Sequence, residues 1–237
     1  MQSLEDELDT ARQLAVADLA DAIESIGFEC TRCGACCTAD SADDHTATVF
    51  PDEVRGLQQA AATDDSERDW RDVARPMPYG LSETDDGDLE GETFEWALQT
   101  DACGDCVFYE EDDDGMGACV AHDDRPLICQ TYPFSVALAG TSQPMGEPVD
   151  SVALDAQREA GDEEGMLRAH ECEGLGRDIS REDAEALAQA LKERAVRELE
   201  EAIAVRDEYA PADPGPGEVV VHDSEGAKGV DGTPLEK

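Results

Sequence analysis

Four cysteines within eight positions constrain this chain more than any other feature of its sequence. They are Cys30, Cys33, Cys36 and Cys37, in the stretch FECTRCGACC. Two successive C-x2-C steps bring three sulfurs to one side of a tight loop, and Gly34 relieves the backbone strain of the turn. Thiolates packed this closely repel one another unless a cation lies between them. The spacing therefore predicts a metal-binding loop.

Five further cysteines follow downstream, namely Cys103, Cys106, Cys119, Cys129 and Cys172. The first block matches the opening three cysteines of a bacterial ferredoxin run, but Asp40 stands where the fourth would be, so the missing ligand must come from the downstream group. The string C-x2-C-x12-C-x9-C over 103–129 is also compatible with a zinc knuckle. Thiolates suit both zinc and iron–sulfur clusters, and the ferredoxin-like spacing favours a cluster of the [4Fe–4S] type.

The adjacent pair Cys36 and Cys37 complicates the ligand set. Because successive side chains diverge, we expect that the two do not bind one mononuclear ion. A larger cluster or a second ion could take each sulfur. Alternatively, one of the two is a buried thiol without a metal.

Histidine and arginine side chains compete for roles near the thiols. His122 and His170 are alternative ligands, although a polar surface role is preferred for His122, and we expect His45 and His222 to be solvated. Arg125 could donate hydrogen bonds to sulfur and so raise the potential of a cluster. An equally favoured role for Arg125 is an ordinary surface ion pair at the start of a helix.

The charge of the chain limits its partners. There are 59 acidic against 17 basic residues, for a formal net charge of −42. Such a surface repels nucleic-acid phosphates and anionic lipid headgroups, so we expect no nucleic acid or membrane as partner and leave an unidentified protein open. Self-repulsion is tolerated where salt screens strongly, over roughly 3 Å at 1 M. We interpret the acidity as adaptation to a high-salt cytosol.

The N-terminal stretch MQSLEDELDT is acidic where a signal peptide is basic, and no apolar segment follows it. The chain contains no run of about 18 apolar residues, so no membrane span is predicted. We therefore expect a cytoplasmic protein whose cysteines stay reduced. Nine cysteines are an odd number, so they cannot all pair as disulfides within the chain.

Hydrophobic periodicity predicts helices towards both ends of the chain, with short strands between them. The expected helices span residues 3–26, 50–62, 64–75 and 180–209, with a helical turn over 125–131. The expected strands cover 93–99 and 218–222, with a β-hairpin over 103–122 that carries thiols on both arms. Residues 82–92 and 144–166 are expected to be loops, and Trp70 and Trp96 to be core residues.

These elements predict an α+β fold. We expect a single small cysteine-rich domain over residues 1–210, stapled by metal, in which long N- and C-terminal helices (3–26 and 180–209) pack over a short-stranded centre. The core motifs lie within 28–176. Residues 211–237 are expected to form a linker, a short strand and a flexible acidic tail.

Three segments in order carry a resemblance to a known family: FECTRCGACC, CGDCVFYEEDDDGMGACVAHDDRPLICQTYPF and CEGLG. The chain resembles the YkgJ-like cysteine cluster proteins, a family of zinc- or iron-chelating domains, over about residues 28–176. It departs from them at Glu173, where the family often has proline. The resemblance implies that the metal ligands or their close neighbours are Cys30, Cys33, Cys36, Cys37, Cys103, Cys106, Cys119, Cys129 and Cys172.

The leading functional hypothesis is metal binding in a structural or electron-carrying role. A non-enzymatic protein is favoured, since the sequence contains no P-loop, dinucleotide fingerprint or G-x-S-x-G motif. Flagellin lysine N-methylases carry a similar cysteine cluster, so a cluster-dependent modifying enzyme is an alternative, although no S-adenosylmethionine motif is recognisable. A metal chaperone or sensor is the third hypothesis, and it requires labile, exposed thiols.

Overall fold

The computed structural model describes residues 3–39, 45–60, 68–84, 86–113, 115–144, 147–154 and 165–235. Its helices are α1 (Leu4–Gln13), α2 (Val16–Ile26), α3 (Pro51–Ala60), α4 (Leu127–Thr131) and α5 (Arg181–Glu208), with 3-10 turns at Trp70–Asp72 and His122–Asp124. Its strands are β1 (Thr48–Val49), β2 (Ala74–Pro76), β3 (Leu81–Glu83), β4 (Leu89–Thr93), β5 (Trp96–Leu98), β6 (Tyr109–Glu111), β7 (Gly117–Cys119), β8 (Phe134–Val136), β9 (Asp150–Val152), β10 (Leu167–Ala169), β11 (Val219–Asp223) and β12 (Gly226–Lys228). Helices and several small sheets occur together, so the predicted α+β class is confirmed.

Four small sheets are formed by these strands, in the orders β1-β5-β2, β8-β10-β9, β12-β11-β4-β3 and β6-β7. Strands β4 and β11 pair in parallel, whereas the other pairs of described strands are antiparallel. None of the helices in the described ranges has the length and apolar character needed to cross a membrane.

The chain divides into two compact units. The first unit contains residues 1–33 and 127–203, and the second contains residues 34–126 and 204–237. Strands β11 and β12 belong to the four-stranded sheet of the second unit. The domain expected over 1–210 stays a prediction.

The core of the first unit is built from helices α1, α2 and α5 and strands β8 and β10. Its fully buried side chains include Leu19, Ile23, Phe134, Leu167 and Leu191. Helix α5 packs into this core through an apolar stripe that includes Ala184, Ala188, Ala195 and Leu199. The stripe is therefore an internal packing surface of the first unit.

The helix expected over residues 3–26 is broken into α1 and α2. Leu14, between them, has extended backbone angles of φ −51° and ψ 126°. Its carbonyl accepts a hydrogen bond from Nζ of Lys192 at 2.7 Å, which satisfies the group that a continuous helix would have bonded internally. Helix α2 ends at Gly27, as predicted, with φ +79°.

The second unit is centred on two tryptophans. Trp70 and Trp96 are buried, as predicted, and their rings meet edge to face at 5.0 Å between centroids. The indole N–H of Trp96 donates to Oδ2 of Asp223 at 2.8 Å. Asp223 also lies 2.8 Å from Nζ of the buried Lys228, so the β11–β12 segment is anchored to the core.

Three expectations about the second unit and the segment after β8 are corrected. Residues 82–92 were expected to be a loop, but β3 and β4 form an antiparallel pair there. The helix expected over 64–75 is instead a 3-10 turn followed by β2, and its residues 64–67 lie outside the described ranges. Strand β9 lies within the loop expected over 144–166, of which residues 155–164 are likewise outside those ranges.

Candidate metal centre

The turn that carries Cys36 and Cys37 begins at Gly34. This glycine has φ +79°, in the left-handed region that few other residues adopt. Its carbonyl accepts hydrogen bonds from the N–H of Cys37 at 2.7 Å and of Thr38 at 3.1 Å, which closes the turn. The two sulfurs lie 3.8 Å apart. The expectation that these side chains diverge is wrong, because the tight turn, rather than an extended backbone, sets their directions.

A knuckle over residues 101–106 presents the second pair of thiols. Oδ1 of Asp101 accepts hydrogen bonds from the N–H groups of Cys103 at 2.7 Å and Asp105 at 3.1 Å. Gly104 has φ +85°, which the tight turn requires. An aspartate two residues before the first cysteine is a turn signal that is recognisable in the sequence.

Main-chain hydrogen bonds join the cysteine turn to the knuckle. The N–H of Cys106 donates to the Cys37 carbonyl at 2.8 Å, and the N–H of Ala39 donates to Oδ1 of Asp105 at 2.7 Å. The predicted hairpin is confirmed, with β6 and β7 paired so that Cys119 lies opposite Tyr109. Four thiols of the second unit form what we call the thiol cluster: Cys36, Cys37, Cys106 and Cys119. The sulfurs of Cys36 and Cys37 are in contact, and Cys36 contributes, after burial, to the raised pKa of Cys106 and of Cys119.

Three thiols of the cluster, those of Cys36, Cys106 and Cys119, have raised pKa values that favour their protonated form. Burial raises the pKa of Cys106 to about 11, and the neighbouring Cys119 and Cys36 add to the rise. Burial also raises the pKa of Cys119. The pKa of Cys36 is raised chiefly by its hydrogen bond with Cys37. Each additional thiolate in the cluster is therefore unfavourable unless a cation compensates it.

The positive charge of Arg125 acts on this cluster. The hydrogen bond with Cys37 is the largest cause of the raised pKa of Cys36, and burial is the largest cause of the raised pKa of Cys119. The guanidinium of Arg125 opposes both rises. Nε of Arg125 donates to the His122 carbonyl at 3.1 Å, which fixes the side chain at the end of the hairpin. The predicted hydrogen bond from Arg125 to sulfur stays a prediction.

The possible ligand side chains do not form a complete coordination sphere in the described part of the chain. Among the residues that the structure describes, no three His, Cys, Asp or Glu side chains lie close enough together to hold a metal ion as they stand. All nine cysteines are described, and none is in a disulfide. Cys103 points to the exposed side of the knuckle, whereas Cys106 is buried.

Four cysteines belong to the first unit: Cys30, Cys33, Cys129 and Cys172. Cys172 lies in a turn whose Gly174 N–H points at its sulfur, with 3.4 Å between nitrogen and Sγ. The Gly174 carbonyl accepts from the N–H of Glu29 at 3.0 Å, so this turn lies against the segment that leads to Cys30. Cys129 is carried by α4, as predicted.

The cysteine pattern and its geometry agree with a comparison against protein families. The family model CxxCxxCC, described as a "putative zinc- or iron-chelating domain", matches residues 29–173, which is more than half of the chain. The chain belongs to the CxxCxxCC family. All nine cysteines fall within the matched range. Membership confirms the resemblance found in the sequence and supports metal binding. Searches of curated proteins and of solved structures returned no match.

Two histidines of this CxxCxxCC protein are placed differently from expectation. His45 and His222 are buried rather than solvated, with 9% and 3% of their surface exposed. Nε2 of His222 lies 3.1 Å from Oε2 of Glu92, which compensates its burial. His170 is buried beside Oγ of Ser135 at 2.9 Å, whereas His122 is exposed. The acidic residues before His45 suggested a solvated loop and concealed its position next to Cys36.

Proposed function

We propose that this protein binds a metal ion through thiolates of the thiol cluster, and that the metal staples the cysteine turn, the knuckle and the hairpin of the second unit. The role is structural in the first instance. Cys36, Cys37, Cys106 and Cys119 would supply the ligands, and Arg125 would offset part of their negative charge. The family's description, which covers zinc and iron, supports this proposal.

The 3.8 Å separation of the Cys36 and Cys37 sulfurs carries the proposal. Metal–sulfur bonds of about 2.3 Å in a tetrahedral site place neighbouring sulfurs about 3.8 Å apart. The two sulfurs therefore already have the spacing of two ligands of one ion. Burial of Cys106 beside them, with its raised pKa, is a cost that a bound cation would remove by favouring the thiolate.

Two cofactors fit the donor set. A single zinc or iron ion suits the close Cys36–Cys37 pair and would act as a structural staple. An iron–sulfur cluster, of the [4Fe–4S] type, is favoured instead by the ferredoxin-like spacing of Cys30, Cys33 and Cys36, and would add the capacity to carry an electron.

Metal and sulfide analysis of protein purified anaerobically in high salt tests the proposal and separates the two cofactors. A colourless protein with stoichiometric zinc supports the single-ion staple. A brown protein with iron and acid-labile sulfide supports the cluster. Folded protein that contains no metal and takes up neither zinc nor iron contradicts the proposed function.

Metal delivery is a second candidate, favoured by the exposure of four thiols: Cys30, Cys33, Cys36 and Cys103. A chaperone needs such accessible thiols to pass its ion on. The two roles differ in the rate at which a chromogenic chelator withdraws metal from the protein. Loss within seconds supports delivery, whereas loss over hours supports the staple.

A further inference from the structure

His45 lies between the two thiol-bearing segments of the second unit. Its backbone N–H donates to the carbonyl of Gly104, inside the knuckle, at 3.0 Å. Its own carbonyl accepts from Nη2 of Arg75 at 2.8 Å. A ring N–H of His45 is hydrogen-bonded to the backbone carbonyl of Cys36. The histidine thus contacts the cysteine turn on one side and the knuckle on the other.

The protonation state of the His45 ring follows from these contacts. The Cys36 carbonyl can only accept, so the ring nitrogen that faces it carries the proton. Nδ1 is buried, and none of the described residues gives it a hydrogen-bond partner, so the donor is Nε2. Nδ1 therefore presents an uncompensated lone pair in the interior, which is unfavourable unless something binds it.

We propose that Nδ1 of His45 is a ligand of the metal ion held by the thiol cluster, so that the site is a mixed cysteine–histidine site rather than one of thiolates alone. This inference rests on the proposed function. A neutral imidazole whose other nitrogen donates to a backbone carbonyl is the arrangement that fixes a metal-binding histidine in its tautomer and orientation.

Charge favours the mixed set over four thiolates. Four thiolates around a divalent ion leave two negative charges in the site, whereas three thiolates and one imidazole leave one. The chain already carries a formal net charge of −42 and has Asp105 within the knuckle, so a less negative site is easier to bury. Sites with three cysteines and one histidine are an established tetrahedral set for zinc.

The matched variants are His45→Gln and His170→Gln. A glutamine amide can keep the Nε2 donor to the Cys36 carbonyl while it removes the Nδ1 lone pair. His170 is the appropriate control because it is also buried with an unpartnered Nδ1 among the described residues, but it lies in the first unit beside Ser135. Both substitutions thus remove a buried lone pair, and only one of them removes the proposed ligand.

X-ray absorption fine structure at the zinc edge, on reduced protein loaded with Zn2+, tests the inference. We expect a nitrogen scatterer at about 2.0–2.1 Å beside sulfur at about 2.3 Å in the unmodified protein and in H170Q, and its loss in H45Q. Zinc release to a chelator should be at least tenfold faster from H45Q than from H170Q.

A shell of sulfur alone in the unmodified protein would overturn the inference, even if H45Q does not fold, and so would a nitrogen that persists in H45Q. Either result would exclude His45 as the nitrogen ligand while leaving metal binding by the thiol cluster standing. Protein that takes up no zinc at all contradicts the proposed function and this inference with it.

Discussion

Gly34 is the residue on which the geometry of the cysteine turn depends most directly. It has φ +79°, and a Cβ at this position would overlap the hydroxyl group of Tyr109 on the hairpin. We predict that Gly34→Ala lowers the free energy of unfolding by about 1 kcal/mol from backbone strain and by a further 1 kcal/mol or so from displacing Tyr109. Urea unfolding at fixed salt measures this loss.

Gly176→Ala is the matched control for that substitution. Gly176 has φ +76°, but a Cβ there meets nothing within 4 Å. It should therefore show the backbone strain without the collision. Equal losses in the two variants would mean that the contact between the turn and Tyr109 contributes nothing to stability.

Arg125 is predicted to set the pH at which the thiol cluster takes up metal. Its positive charge favours the thiolates of Cys36 and Cys119, against the Cys37 hydrogen bond and burial, respectively, which raise their pKa values. Removing the charge raises both pKa values, and metal must then displace more tightly held protons. In Arg125→Gln the midpoint of zinc uptake should move to higher pH by roughly half a unit or more.

A zinc titration at several pH values, with Arg71→Gln as control, checks the prediction for Arg125. Arg71 is an exposed arginine of the same unit. Hydrogen bonds from Thr233 lower the pKa of Asp231, and the charge of Arg71 makes a minor further contribution to that lowering. Its variant loses the same charge without affecting the thiols. An unchanged midpoint in R125Q, or the same shift in R71Q, would show that Arg125 has no specific role.

Among the elements, the knuckle is predicted to control how long metal is retained. Asp101 orders it through two hydrogen bonds to its N–H groups. Asp101→Ala should lower the stability of the knuckle by about 1 kcal/mol, which corresponds to about fivefold faster loss of metal to a chelator. Asp112→Ala, which removes a similar bond to Met116 at the hairpin tip, should leave the rate unchanged. Equal rates for D101A and unmodified protein would contradict this role.

At the same scale, elements with local signals were predictable and those made by distant pairing were not. The hairpin of β6 and β7 and the turn of α4 follow from alternation and from Pro126. Strand β4 was missed because it is polar and glycine-containing, and its parallel partner β11 comes from the end of the chain. The break after α1 depends on Lys192, which no local pattern reveals.

The candidate site shows the same division between local and distant determinants. The cysteine positions and the presence of two knuckle-like segments could be read from spacing alone. The convergence of Cys36 and Cys37 requires the φ of Gly34, and the burial of His45 requires the contact with Gly104. Both are tertiary facts that a one-dimensional pattern does not contain.

For the whole molecule, the net charge of −42 predicts stabilisation by salt. Raising KCl from 0.1 to 3 M shortens the screening length from roughly 10 Å to below 3 Å and weakens the self-repulsion. We expect the melting temperature to rise by at least about 10 °C. Sucrose at matched osmolality, which does not screen charge, should raise it less than half as much, and an equal rise would contradict the electrostatic explanation.

Hydrogen exchange of metal-loaded and chelator-treated protein tests most directly whether metal staples the second unit at the thiol cluster. The amide of Cys106, bonded to the Cys37 carbonyl, reports on the junction, and the β3–β4 pair of the same unit serves as an internal reference. We predict that metal removal lowers the hydrogen-exchange protection of residues 34–39 and 103–109. This loss of protection should be at least tenfold larger than the loss in β3 and β4. Unchanged protection at the junction, or an equal loss throughout the unit, would contradict a metal held at this cluster.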